Sequence, residues 1–159
     1  MEIKIVYIGK IKEKYLRDAI AEYAKRLGRY CRLSFHQAAD EKTPDKASDA
    51  ENRAILDTEG ERILGMLKDQ DHVIALAIEG SMPDSVELSK QLSQLFVSGK
   101  SSIAFVIGGS LGLSEKVLKR ADRLLSFSRM TFPHQLMQVI LLEQLYRSFR
   151  IMNNEPYHK

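Results

Sequence analysis

The chain has a single cysteine, Cys31, which excludes an internal disulfide and leaves no thiol pair for a metal. Its histidines, His36, His72, His134 and His158, stand at none of the spacings that a metal site needs, so no metal is expected. No apolar run approaches the length that spans a bilayer. The N-terminal EIKIVYI reads as a strand and lacks the basic-then-apolar pattern of a secretion signal, so the expectation is a soluble, cytoplasmic protein with no membrane partner. Internal repeats and low-complexity segments are also missing. Net charge is only +3 and by itself says little about partners. A length of 159 residues allows one domain, 1–159, with a real core and no space for a separate nucleic-acid module.

The distribution of charge says more than its sum. Lys10 to Arg32 carries eight basic against three acidic residues, Ser114 to Lys159 eight against four, and Asp40 to Glu61 eight acidic against three basic. A one-sided positive face follows if the fold brings the two basic segments together.

Periodicity predicts alternating strands and helices. Strands are expected at Glu2–Ile8, Cys31–Gln37, His72–Ile78, Ser102–Ile107 and Arg123–Phe127. Helices are expected at Lys12–Arg29, with Tyr15 on its apolar stripe, at Asp49–Leu67 with its acidic cluster facing water, and from a D-x-x-E cap at Asp84 to Val97. Two more follow at Ser114–Ala121 and Pro133–Met152. Ala38 to Ser48 reads as a long charged loop. The pattern is α/β, a mostly parallel sheet flanked by helices. The last helix has almost no polar face in its first half, and the simplest cover for its outer side is a second copy, which predicts a homodimer.

Three strand-end loops organise the chain: LAIEG at Leu76 to Gly80, IGGSLG at Ile107 to Gly112, and SFSRMTFPHQ at Ser126 to Gln135. Open α/β sheets bind ligands beyond the carboxyl ends of their strands, so three such loops can wall one pocket. His134, beside the last loop, either donates to a substrate or makes a helix-start hydrogen bond. Two nucleotide motifs fail. SGKSS at Ser98 to Ser102 precedes a strand and has Gln94 where a P-loop needs glycine; the Gly108, Gly109 and Gly112 set has Ile107 where the dinucleotide fingerprint needs its first glycine.

The segments FVIGGSLGL, LSFSRMTFPHQLMQVILLEQLYRSFRI and EPYHK, with the opening IKIVYIGKIKEKYLRDAIAEYAKRLGRY, closely resemble the small SPOUT-class methyltransferases of the ribosomal RNA large subunit methyltransferase H family, which modify pseudouridine at N3 in 23S rRNA. The likeness covers essentially the whole chain. It implies a C-terminal trefoil knot, which no periodicity can reveal. It also implies S-adenosyl-L-methionine as cofactor, held at Leu76, at Gly108 and Gly109, and at Phe127, Ser128, Arg129, Met130, Thr131 and Phe132. His134, Arg129, Tyr157 and His158 become candidates for handling the N3 proton, with the tail near the cofactor and ordered on binding. Arg147 and Arg150 become candidate phosphate contacts, and Gln138 stands where relatives often carry Arg. The implied partners are a second copy and 23S rRNA in the large subunit or assembled ribosome. The competing reading is a non-catalytic RNA-binding or ribosome-assembly protein of the same fold.

Overall fold

In the computed structural model, which describes residues 1–159, five strands form one parallel sheet. They are β1 (Glu2–Ile8), β2 (Arg32–Ala38), β3 (His72–Ser81), β4 (Ser102–Ile107) and β5 (Arg123–Leu125), in the order β2-β1-β4-β3-β5. The helices are α1 (Lys14–Leu27), α2 (Asp49–Met66), α3 (Ser85–Val97), α4 (Glu115–Arg120) and α5 (His134–Met152). Central β4 is buried along its whole length, as its continuous apolar run requires.

Side chains alternate across the sheet and build two cores. Ile3, Ile5, Ile74 and Phe105 pack with Leu27 of α1, Leu92 of α3 and Leu141, Leu142 and Leu145 of α5. On the opposite face Val6, Val73, Ala104 and Val106 pack with Ile63 of α2 and Val117 of α4. At the N-terminal edge Lys4 and Asp71 form a buried ion pair at 3.0 Å, to which Ser102 donates a further hydrogen bond of 2.7 Å.

Asp84 and Glu87 form the expected capping box on α3, each side chain accepting from the other's backbone N–H. SGKSS ends that helix and enters β4, with Gly99 in the left-handed region at φ +86°, so it makes no phosphate loop.

Several expectations need correction. β5 stops at Leu125 rather than Phe127: the Ser126 N–H makes its last bond to β3, donating to the Ser81 carbonyl at 2.8 Å, and the Ser126 side chain then turns to the Ser128 carbonyl. β3 runs on to Ser81 through an irregularity, so that Leu76 and Ser81 both register against Leu125. Tyr15 is 71% exposed, since it sits on the solvent edge of the α1 stripe. The acidic face of α2 is broken by Glu59, which is buried. The outer side of α5 is largely covered within the chain, because α1 and α3 flank it. That intrachain cover weakens the burial argument for a second copy along the middle of the helix.

Candidate functional site

The pocket begins with three tight pieces of backbone. In the first, the segment after Leu76 curls so closely around β5 that a Cβ on Gly80 would stand 2.7 Å from the Leu125 nitrogen. In the second, Gly109 and Gly112 pair across a turn, with Gly112 at φ +87°. A Cβ on Gly108 would lie 2.4 Å from the Gly112 carbonyl oxygen, so only glycine fits there. In the third, Ser126 Oγ donates to the Ser128 carbonyl at 3.0 Å, and Ser128 Oγ accepts from the Met130 N–H at 3.0 Å. The loop is thus pinned by its own serines before Pro133 opens α5.

These pieces meet at the carboxyl edge of β3, β4 and β5 around a cavity of about 130 Å³. Leu76, Gly108, Gly109, Phe127, Ser128, Met130, Thr131, Phe132 and His134 all line it. The volume is below the ~300 Å³ at which small-molecule pockets usually begin, so the cavity has room for one part of such a molecule rather than the whole. Its lining joins apolar walls from Leu76, Phe127 and Phe132 to the backbone polar groups of the glycine and serine loops, the mix that small-molecule sites use.

The other site candidates lie elsewhere. Arg129 is exposed and does not line the cavity, although its neighbours Ser128 and Met130 do. Tyr157 and His158 fold back on the C-terminal half of α5. Tyr157 donates to Glu143 at 3.0 Å, and His158 Nδ1 lies 3.3 Å from Arg147. Glu143 is nine residues beyond His134, ~13 Å along the helix, so one chain does not bring its tail to its own pocket. Burial, with the hydrogen bond to Glu143, pushes the Tyr157 phenol up to about 12, which makes it a donor rather than a ready base. Arg147 is paired with Glu143, and Arg150 with Glu155 and the Pro156 carbonyl, so part of each guanidinium is spent within the chain.

His134 is the titratable side chain on the cavity wall. Burial holds its imidazole below the usual 6.5, outweighing Asp40 and Glu13, which pull the other way. Neutral at pH 7, it keeps a ring nitrogen able to accept a proton.

Sequence reasoning missed Gly80 as a packing requirement and missed Glu59 behind the glycine turn. Glu59 Oε2 accepts the Glu41 N–H at 3.0 Å, and its Oε1 would lie 3.3 Å from a Cβ on Gly109, so this carboxylate ties the 39–41 strand exit to the pocket wall. Burial, reinforced by Asp40 and Glu41, raises its pKa despite the hydrogen bond from Glu41. A signal existed in Gly60, a glycine inside a long helix. A Cβ there would meet Ser114 Oγ at 2.3 Å, marking where α2 approaches the neighbouring turn too closely for a side chain.

Comparison with known proteins gives a consistent result. The family model described as "Predicted SPOUT methyltransferase" matches residues 1–158. Proteins named ribosomal RNA large subunit methyltransferase H from Bifidobacterium adolescentis and Streptococcus thermophilus are 59% and 58% identical to the chain, each over the full length of both sequences. A crystal structure described as a "putative methylase family protein from Neisseria gonorrhoeae" superposes with a TM-score of 0.56 at 15% identity, covering 99% of this chain and 85% of that one, which supports the fold.

Proposed function

The chain belongs to the SPOUT methyltransferase family, and from that premise we propose that it methylates N3 of a pseudouridine in 23S rRNA of the large ribosomal subunit, using S-adenosyl-L-methionine. The observation that carries the reading is the meeting of three strand-end loops around one apolar cavity with a neutral histidine on its wall. The bound cofactor supplies an activated methyl group. Leu76, Phe127 and Phe132 keep water from that part of it, and the Gly108–Gly112 turn lets backbone come close. N3 must lose its imide proton as the methyl group arrives, and His134 is assigned to accept it. Holding donor and acceptor in line supplies much of the rate. Arg129, exposed at the rim, is assigned to meet the charge of the incoming RNA.

The reading includes a homodimer acting in the cytoplasm. Ile78 and Met130 are exposed and line the cavity mouth, apolar surface that suits contact with a second copy. Tyr157 and His158 enter the chemistry only through such a partner, given where this chain's own tail is docked.

Two measurements test the proposal. Calorimetry with S-adenosylmethionine should show binding to the purified chain. Mass mapping of 23S rRNA from cells lacking it should show one pseudouridine without its methyl group. An unchanged modification pattern together with absent cofactor binding would favour the non-catalytic ribosome-assembly role.

A further inference from the structure

A second concavity opens on the same carboxyl edge of the sheet, one helical turn from His134. It is a groove of about 380 Å³ between the ends of β1 and β2, the middle of α1 and the start of α5. Its floor follows from register: Ile5 pairs with Phe35 and Tyr7 with Gln37, so these side chains share the face that looks toward α1 and α5. The groove holds two aromatic rings, the half-buried Tyr7 and Phe35, which is 37% exposed. Lys10 and Arg17 stand on its border.

The decisive residue is Gln138. It is only 2% exposed, and its side-chain amide makes no hydrogen bond within the chain. The little surface it keeps borders the groove, so its amide is open to a partner that enters there. Gln138 follows His134 by four residues, which places it ~6 Å further along α5 and beside the methyl-donor cavity.

We propose that this groove seats one unpaired nucleobase of the RNA acceptor. Tyr7 and Phe35 give it a stacking surface, the amides of Gln138 and Gln37 read its edge, and Lys10 and Arg17 meet the adjoining phosphate. The occupant is argued from complementarity. An amide offers one donor side and one acceptor side, as the edge of a base does, and aromatic rings with neighbouring cations are how single-stranded RNA is held. Lys10 has no ion-pair partner, and Arg17 spends Nη1 on the Ile11 and Lys12 carbonyls while keeping other N–H groups free. The inference rests on the rRNA methyltransferase reading and adds the place where the acceptor strand is recognised.

The test uses the full chain and its Gln138→Leu and Phe35→Ala variants, with large ribosomal subunits as substrate and radiolabelled S-adenosylmethionine as donor. The expected result is a rise of about tenfold or more in the KM for subunits, with the calorimetric affinity for S-adenosylmethionine unchanged. The melting temperature of Gln138→Leu should change little, since no side-chain hydrogen bond within the chain is lost, and this separates recognition from a structural role. Photo-crosslinking with 4-thiouridine-containing large-subunit RNA should label peptides of β1 and β2. An unchanged KM in both variants, or crosslinks confined to other elements in an active enzyme, overturns the proposal. A change of molecular mass by light scattering in Phe35→Ala assigns the groove to a contact between copies and likewise overturns it. Crosslinks at Phe35 in a chain that methylates nothing would instead sink the methyltransferase reading while supporting RNA in the groove.

Discussion

At the scale of single residues, His134 and Lys4 give the sharpest expectations. Because burial holds His134 below 6.5, the unfolded chain binds the proton first as pH drops, so stability contributed by the neutral ring is present above 6.5 and lost as pH falls below it. His72, also lowered by burial, acts in the same direction. Methyl transfer should keep its rate to a pH below 6.5 and then decline, and His134→Asn should lose that acid limb along with most activity; a pH–rate profile at saturating substrate reads both. Lys4 sits at the opposite end of the sheet, against Asp71. Burial alone would raise that carboxyl, but hydrogen bonds from Ser102, the Lys68 N–H and Lys4 together bring it below its ordinary value. Lys4→Met strands a buried carboxylate and should cost about 3 kcal/mol or more in urea unfolding, with cofactor affinity little changed.

At the scale of elements, two glycines make a matched pair. Gly80 lies in the turn that hugs β5, and Gly80→Ala drives a Cβ to 2.7 Å from backbone atoms that cannot yield cheaply. It should lose about 1–3 kcal/mol and weaken S-adenosylmethionine binding, because the turn is also a pocket wall. Gly65 in α2 has nothing within 4 Å of its missing Cβ, so Gly65→Ala should stabilise by about 0.5–1 kcal/mol and leave binding alone. Thermal melts and calorimetry on the two variants decide the contrast. The same comparison shows what was legible beforehand. β4 and the α3 cap are local patterns and are read from sequence almost residue for residue. The end of β5 is not, since the strand lasts only as long as its neighbour β3, whose final pairing residue, Ser81, lies 45 positions before Ser126.

At the scale of the whole molecule, α5 sets the limit on inference from pattern. Its apolar circumference correctly marks a deeply buried helix, but periodicity cannot tell whether cover comes from a neighbour in the chain or from a second copy. Here α1 and α3 supply much of it, and two exposed apolar residues, Ile78 and Met130, stand at the cavity instead. Light scattering on the purified protein should give the mass of two chains, and charged substitutions at Ile78 and Met130 should split them while leaving the sheet intact. The pocket was legible as three glycine- or serine-punctuated strand ends. The position of the tail was not, because Tyr157 and His158 are placed by Glu143 and Arg147, contacts that no local spacing announces.

The curl of residues 76–81 around Leu125 carries a consequence in time. That curl belongs to the middle of the polypeptide, and the strand it embraces is synthesised much later, so the cavity has no floor until the carboxyl-terminal segments emerge. A nascent chain therefore cannot close this cavity before residues 123–137 have left the ribosome, and its walls are completed late in synthesis.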